Sequence, residues 1–257
     1  MKISYISDLH LDFWCQFNTN QLKWESLTKE FIRRLIETDQ GQRDVVCING
    51  DISHFNIQSL WALNIFSQQY SKVFVCLGNH DLYLVSKNQT GKYKNNSWNR
   101  VLELQEFISQ LSNVHLLLDD EVVKYNGVKF GGNTMWYPVS TIEQQVFFNN
   151  ISNDSRLIKG VDINLEHEKS IANYNSMMQQ GIDVMISHVP LCHLKSHEKY
   201  GSSSCYYTPV DELPPFVIQG HSHERAIYKK AGSLLYMNCL GYPHDGLGEV
   251  EIRSFEI

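Results

Sequence analysis

The fold is decided by stretches such as VFVCLGNHD at residues 73–81, where a short apolar run ends in a turn rich in polar side chains. A run of this length and composition, closed by glycine, is typical of a buried strand. Similar runs occur at residues 3–6, 45–48, 114–118, 184–186 and 217–218. Patterns with helical spacing lie at residues 24–36, 57–70, 100–111 and 162–180. This alternation predicts a layered α/β fold.

The turn dipeptides Asn126-Gly127 and Ala231-Gly232 predict two hairpins, so part of the sheet structure should be antiparallel. The 257 residues contain no repeat and no Pro/Gly/Ser-rich linker, and we expect residues 1–257 to form a single domain. Hydrophobic residues make up 42% of the chain and charged residues 19%, which excludes an intrinsically disordered protein. Two polar stretches, at residues 86–99 and 195–207, predict long loops.

The formal net charge of −6 argues against a protein that coats nucleic acid. The six cysteines are scattered and none forms a Cys-x-x-Cys pair, which excludes a zinc knuckle or a thioredoxin-like motif and favours a reducing compartment. The chain starts without a signal-peptide pattern, and no apolar run approaches the roughly 20 residues of a membrane helix. We therefore expect a cytoplasmic protein with no membrane segment.

Side chains that bind metals or move protons follow five of the apolar runs. They are Asp8 and His10, Asp51, Asn79 with His80 and Asp81, His188, and His221 with His223. Neighbouring strands lie about 4.8 Å apart, so residues at the carboxyl ends of adjacent strands converge. Oxygen and imidazole donors suit Mn²⁺, Fe, Zn²⁺ or Ni²⁺. Two such ions, two carboxylates and a bridging hydroxide leave a charge of about +1, which suits an anionic phosphate ester.

These motifs read D-x-H, G-D, G-N-H-D, H and G-H-x-H, and they span residues 8–223. Their order and composition resemble the calcineurin-like metallophosphoesterase superfamily. The resemblance implies a four-layer αββα sandwich of mixed sheets with the site at one edge. It also implies two divalent metal ions as cofactors, and we expect Mn²⁺ first, with Fe, Zn²⁺ or Ni²⁺ as alternatives.

The resemblance also implies a role for each motif residue. Asp8, His10 and His223 would hold one ion, Asp51 would bridge to the second, and Asn79, His188 and His221 would complete the second site. His80 would protonate the leaving oxygen or donate a hydrogen bond to the phosphoryl group. We expect Asp81 to orient His80 through its other ring nitrogen.

His54 follows Asp51 by three residues and allows two interpretations. It resembles a histidine that repair nucleases and several phosphodiesterases carry at this point, where it would act on the phosphate. It is equally compatible with a helix-start histidine that faces solvent. Serine/threonine protein phosphatases of the superfamily carry an arginine in G-D-x-V-D-R-G, and this chain has none there, which counts against a phosphoprotein substrate.

The predicted function is hydrolysis of a phosphodiester or nucleotide-type phosphate ester, by in-line attack of a hydroxide that bridges two metal ions. A DNA or RNA nuclease is one alternative, and a phosphomonoesterase or protein phosphatase is another. A non-catalytic scaffold, as in the retromer subunit of this fold, is the least favoured because no predicted ligand is missing. The expected partner is a small phosphate ester or nucleotide, with nucleic acid as the alternative.

The segment at residues 86–100 carries a local excess of positive charge directly after the predicted catalytic histidine. It contains Lys87, Lys92, Lys94 and Arg100, with Tyr93 and Trp98 among them. Such a segment is either a loop that grips phosphate and base or an ordinary solvated loop. The stretch at residues 195–207 is a second candidate rim for the substrate.

Overall fold

A computed structural model of the chain describes residues 1–194, 197 and 203–257. Two mixed sheets stack face to face, and helices cover their outer faces. The α/β fold with an αββα sandwich, predicted from the sequence, is therefore confirmed. Among the described residues we find no helix that is long and apolar enough to cross a membrane.

Apart from the last one, the strands follow the predicted runs and hairpins closely. They are β1 (Lys2–Ile6), β2 (Val45–Asn49), β3 (Lys72–Cys76), β4 (Val114–Leu116), β5 (Val122–Tyr125), β6 (Val128–Asn133), β7 (Val184–Ser187), β8 (Phe216–Gln219), β9 (Arg225–Lys230), β10 (Ser233–Asn238) and β11 (Arg253–Glu256). The first sheet has the order β11-β1-β2-β3-β4, and the second has the order β5-β6-β7-β8-β10-β9. Strands β1 to β4 run parallel, as do β6, β7, β8 and β10, whereas β5, β9 and β11 are antiparallel edges.

The continuous apolar runs arise because the central strands are buried on both faces. Along β1, Ile3 and Tyr5 pack against the second sheet, whereas Ile6 belongs to the core shared with the helices. Along β2, Cys47 faces the second sheet and Ile48 faces the helices. This period of two places one apolar layer between the sheets and another beneath the helices.

Each of the four predicted helical patterns matches a helix, with shifts of one to three residues at the ends, whereas the four shorter helices of the described residues are not predicted. They are α1 (Leu11–Trp14), α2 (Gln21–Glu37), α3 (Asn56–Gln69), α4 (Lys87–Lys92), α5 (Ser97–Ile108), α6 (Ile142–Asn150), α7 (Asp154–Leu157) and α8 (Ile163–Gln179). Helices α3 and α5 contact the first sheet, and α8 contacts the second.

The prediction of a long loop at residues 86–99 is wrong. The Ser86 side chain accepts a hydrogen bond from the Gln89 backbone and starts α4, and the Asn96 side chain accepts one from the Trp98 backbone and starts α5. Polar residues that resemble loop composition are therefore helix N-caps here. Most of the other predicted loop, residues 195–207, lies outside the described residues, and a short 3₁₀ turn spans Ser203–Tyr206 at its end.

Arg100 is a buried residue that connects two turns, and it does not contribute to a basic surface, because 1% of its surface is exposed. Its Nη1 donates to the carbonyl oxygens of His80 and Tyr83, at 2.8 and 2.9 Å. Its Nη2 donates to the Ser53 carbonyl at 2.5 Å, and its Nε donates to Asn56 Oδ1 at 3.0 Å. One guanidinium thus ties the turn after β2 to the turn after β3.

We expect Arg100→Met to lower the free energy of unfolding by about 3–5 kcal/mol, because it leaves several buried acceptors without a donor. Urea denaturation of the purified protein measures this. The matched control is Arg33→Met on the exposed face of α2, which should change the value by less than about 0.5 kcal/mol. Equal effects of the two substitutions would show that Arg100 does not brace the turns.

Candidate metal centre

The turns after β1, β2, β3, β7 and β8 meet at one edge of the two sheets and bring the predicted ligands together. Donor atoms of three overlapping groups lie within 4.8 Å of one another: Asp8 with His10 and His223, His10 with Asp51 and His80, and Asp8 with Asp51 and His188. Asn79 and His221 line the same cavity as Asp51. All seven side chains that the sequence predicts as ligands therefore share one small volume.

The backbone of this cluster adopts several strained conformations with positive φ. Five of its residues, none of them glycine, have left-handed backbone conformations, with φ of 52° at Asp8, 40° at His10, 54° at Asp51, 68° at His221 and 45° at His223. Such conformations cost of order 1–3 kcal/mol each and concentrate at functional sites. Gly78 permits the closest approach, since a Cβ there would lie 2.1 Å from Asp51 Oδ1.

The first group of donors has the spacing of ligands around one ion. His223 Nε2 lies 3.6 Å from Asp8 Oδ1 and 3.0 Å from His10 Nε2, and His10 Nε2 lies 3.7 Å from Asp51 Oδ2. Ligands about 2.1 Å from a common metal lie roughly 3.0–3.4 Å apart. His223 Nδ1 donates to Asp245 Oδ2 at 2.6 Å, so its Nε2 presents a lone pair to the centre.

A further set of donors, made of His188, Asn79 and His221, lies on the other side of Asp51. His188 Nε2 lies 3.4 Å from Asp51 Oδ2 and 3.0 Å from Asn79 Oδ1. His188 Nδ1 donates to the Asn49 carbonyl at 2.8 Å, which leaves its Nε2 facing the centre. The buried Nε2 of His221 has no hydrogen-bond partner among the described residues, as expected for a nitrogen whose partner is a cation.

A buried carboxylate that the sequence does not predict orients Asn79. The Asn79 side-chain amide donates to Asp154 Oδ1 at 2.8 Å and to the Tyr83 hydroxyl at 3.2 Å, so its Oδ1 faces His188. Asp154 also accepts hydrogen bonds from the hydroxyls of Tyr83 and Tyr137. Burial raises the pKa of Asp154. Asp154 lies at the start of α7 and belongs to none of the predicted motifs, so the sequence gives no sign of this role.

The electrostatics of the cluster suit divalent cations. Burial opposes charge on Asp8 and Asp51, but neighbouring histidines, His188 first, lower the pKa of both carboxyls. Burial lowers the pKa of His10 to about 4 and that of His221 to about 3, which keeps these rings neutral. Burial also opposes charge on His188, yet Asp51 and Asp8 raise its pKa to about 10. The raised pKa of His188 shows that the two carboxylates favour positive charge at this point, which fits a metal site with imidazole and carboxylate ligands.

His80 lies beside this cluster, but Asp81 does not orient it, and that prediction is wrong. Asp81 instead accepts backbone hydrogen bonds from Asp51 at 2.8 Å, Gly78 at 2.9 Å and Ile52 at 3.2 Å, and so fixes the turn that carries Asp51. Burial, with the nearby Asp51 carboxylate, raises the pKa of Asp81 to about 6.

The partner of His80 is His54, whose Nε2 lies 2.9 Å from His80 Nδ1. His54 Nδ1 in turn donates to Asp12 Oδ2 at 2.7 Å, and the His54 backbone donates to Asp12 Oδ1 at 3.1 Å. His54 is 8% exposed, so the interpretation as a solvent-facing histidine at a helix start is wrong. Asp12 follows His10 by two residues, and no local pattern links it to His54.

A cavity of about 370 Å³ opens onto the cluster. It is lined by Asp51, Asn79, His80, Tyr83, Tyr137, Phe147, Ile151, Ser152, Asn153, Asp154, Cys205, Tyr206, His221, His223, Tyr242, His244 and Asp245. Its walls thus come from α6, from the turn before α7, and from the segment after β10. None of these lining residues belongs to the basic segment at residues 86–100.

A sequence model of the calcineurin-like phosphoesterases matches residues 1–225. The chain belongs to this family. The superfamily resemblance of its motifs is thereby confirmed, and the chain is a metallophosphoesterase and a phosphoester hydrolase by family. The family implies divalent metal ions, and the donor set described above fits them. No curated protein matches this phosphoesterase in sequence.

One solved structure agrees with the family assignment at the level of fold. Phosphopantetheinyl hydrolase from Mycobacterium tuberculosis has a TM-score of 0.67 and 15% identity, over 99% of this chain and 95% of that chain. A 5'-nucleotidase from Candida albicans has a TM-score of 0.42 and 13% identity, over 92% of this chain and 45% of that chain. At 15% identity, the likeness to the phosphopantetheinyl hydrolase shows a shared fold alone.

We expect the phosphoesterase, once stripped of metal, to take up two equivalents of Mn²⁺ per chain. Asp154→Asn should weaken binding of one equivalent by about 10–100-fold, because it releases the Asn79 amide. Titration calorimetry with metal analysis measures both constants. Asp211→Asn, an exposed acid with no described contact to the site, is the control. Unchanged affinity in Asp154→Asn would show that Asp154 does not support a ligand.

Proposed function

We propose that this phosphoesterase binds two divalent cations and hydrolyses a phosphodiester or a nucleotide-type phosphate ester. The observation that best supports this is the position of Asp51, whose Oδ2 lies 3.7 Å from His10 Nε2 on one side and 3.4 Å from His188 Nε2 on the other. A carboxylate shared by two donor groups is what a two-metal site requires. Bound cations would supply positive charge to the phosphoryl oxygens and to the attacking water.

The residues divide into two ligand sets around Asp51. Asp8, His10 and His223 would hold one cation, and Asn79, His188 and His221 would hold the other. Mn²⁺ is the expected metal, with Fe, Zn²⁺ or Ni²⁺ as alternatives, because the donors are oxygens and imidazoles. A ring nitrogen of His80 lies within 4.8 Å of donor atoms of His10 and Asp51, where it can donate to a substrate oxygen.

The cavity favours a small organic ester. Its volume of about 370 Å³ suits a single small-molecule ligand. Tyr137, Phe147, Tyr206 and Tyr242 contribute aromatic walls, against which a base or another flat group can pack. The missing phosphatase arginine after Asp51 argues in the same direction, against a phosphoprotein.

The basic segment at residues 86–100 does not favour the nuclease alternative. Arg100 is buried among backbone carbonyls, and Lys92 pairs with Glu103 at 2.6 Å. Two of its four cations therefore serve internal contacts. A non-catalytic scaffold is disfavoured because every predicted ligand is present and lies in one cluster.

We expect the protein to hydrolyse bis(p-nitrophenyl) phosphate only when metal is bound. Chelation, or the substitution Asp51→Asn, should lower kcat/KM by at least about 100-fold, since either removes charge that stabilises the transition state. Release of p-nitrophenol measures the rate, and Asp211→Asn again serves as the matched acid control. Full activity in metal-free protein would contradict the proposal.

A substrate screen separates the proposed ester class from its alternatives. Diesters, cyclic nucleotides, monoesters, a phosphopeptide and DNA would be compared with Mn²⁺, Fe²⁺, Zn²⁺ and Ni²⁺. We expect kcat/KM for a diester or nucleotide to exceed that for the phosphopeptide at least about tenfold, a factor worth about 1.4 kcal/mol. A nuclease would instead cleave DNA best and lose roughly 1000-fold between about 50 and 200 mM salt.

A further inference from the structure

The turn that carries His221 and His223 is held from outside the metal cluster by a hydrogen bond that the sequence does not predict. Both histidines have left-handed backbone conformations, and Ser222 between them is 1% exposed. The Ser222 hydroxyl lies 2.8 Å from Nε2 of His197, which is fully buried and precedes it by 25 residues. This pair joins the segment before β8 to the turn after β8.

The contacts of His197 show which of its ring nitrogens carries the hydrogen. The Leu194 backbone donates to His197 Nδ1 at 3.2 Å, so Nδ1 is an acceptor and bears no hydrogen. The hydrogen of the neutral ring is therefore on Nε2, which donates it to Ser222 Oγ. The His197 backbone donates to the Leu194 carbonyl at 3.0 Å. His197 is thus fixed through its backbone and through both ring nitrogens.

Aromatic neighbours fix the plane of the His197 ring. The ring stacks on Tyr207 with an angle of 12° and centroids 5.7 Å apart, and its centroid lies 6.2 Å from that of Tyr206. Tyr206 in turn lies 5.6 Å from the His221 ring, between centroids, and lines the cavity. The direction in which His197 Nε2 donates is therefore set by packing as well as by hydrogen bonds.

The segment that contains His197 is itself attached to the body of the fold. The Thr208 backbone donates to the Pro190 carbonyl at 2.8 Å. The Thr208 hydroxyl is shared between two carbonyl oxygens after β6, at 2.8 and 2.9 Å. A hydrogen bond restrains a turn only when its other end is also held. The bond from His197 meets this condition, because Pro190 and Thr208 fix the chain on both sides of it.

Other contacts of this turn act on one ligand each. The His221 backbone donates to Asp8 at 3.1 Å, and His223 Nδ1 donates to Asp245 at 2.6 Å. His197 instead holds Ser222, the residue between the two ligands, so its bond bears on both. In the proposed ligand sets these two histidines belong to different cations. A loss of this bond would therefore affect both cations and not one of them.

We propose that His197 is a positioning residue, which holds His221 and His223 in place for two cations through its hydrogen bond to Ser222. This inference rests on the proposed function, because it assigns His197 a role toward the cations of that site. Left-handed conformations of residues other than glycine persist only where the surrounding structure enforces them. The bond to Ser222 supplies such support before a cation binds, so that cation binding need not order the turn.

The test measures the affinity of metal-stripped protein for Mn²⁺ in His197→Phe, Ser222→Ala and His197→Gln. Phenylalanine keeps a ring beside the tyrosines without nitrogens, and alanine removes the acceptor. We expect each of these two variants to weaken both equivalents about 10–100-fold. Glutamine can place an amide hydrogen near the position of Nε2, and it should restore both constants to within about threefold of wild type.

Double substitution and a control separate this bond from general damage. The variant with both His197→Phe and Ser222→Ala should bind no more than about threefold more weakly than the weaker single variant, since the two residues act as one unit. His115→Phe in β4, a histidine with no described contact to the site, should leave both constants unchanged. Unchanged affinity in Ser222→Ala, loss of one equivalent only, or multiplied losses in the double variant would overturn the inference. If His197→Phe does not fold, Ser222→Ala alone decides.

Two readouts on metal-free protein do not depend on cations. Backbone amides of residues 220–224 should exchange their hydrogens at least about tenfold faster in Ser222→Ala than in wild type. Histidine ¹⁵N spectra of wild type should show a hydrogen on His197 Nε2 and none on Nδ1. Equal exchange, or a hydrogen on Nδ1, would overturn the inference. If wild type takes up fewer than two equivalents of Mn²⁺, the proposed function fails, and these readouts still decide whether His197 holds the turn.

Discussion

Two buried carboxylates, Asp8 and Asp51, are the constraint on which the rest of the structure depends. Burial denies both carboxylates the stabilisation of water, and the charge of Asp51 also opposes ionisation of Asp8. Their stability therefore requires donors or positive charge from several directions. The His221 backbone donates to Asp8 at 3.1 Å, the His80 backbone donates to Asp51 at 2.8 Å, and histidine rings close the remaining sides. Bound cations would neutralise the negative charge of the two carboxylates that these donors leave uncompensated.

The stacked sheets make this convergence possible. Asp8 and Asp51 follow strands of the first sheet, and His188 follows a strand of the second. Asn49 joins the two sheets directly beneath the centre, because its amide donates to the Ser187 carbonyl at 3.2 Å and to the Ile218 carbonyl at 2.7 Å. Its own carbonyl accepts from His188 Nδ1. A centre built from one sheet alone would lack three or four of the seven predicted ligands, so the site requires that the two sheets pack together.

The sequence predicts the parts of this arrangement that have a local signal. Apolar runs ending in glycine and a polar residue give the strands, and the same runs place the ligands at their carboxyl ends. Asp12, Asp154 and Asp245 carry no such signal, because they contact histidines or an asparagine 22 to 75 residues away. Their roles exist only once the turns have folded together. Asp81 shows the converse. Because it follows His80 directly in sequence, a contact between the two side chains is predicted. The 3₁₀ turn at His80–Leu82 instead directs the Asp81 carboxylate to backbone amides.

The groups that contact the Nδ1 atoms of His188, His223 and His80 also explain how one residue type can take different forms. His188 and His223 donate Nδ1 to an acceptor that has no hydrogen to return, a carbonyl in one case and a carboxylate in the other. Each is thereby held with a lone pair on Nε2, the form that binds a metal. Behind His80 stands another histidine, which either accepts or donates. Of these three rings, His80 is therefore the one whose Nδ1 partner can itself donate, and this difference is set by the partner rather than by the place of His80 in its motif.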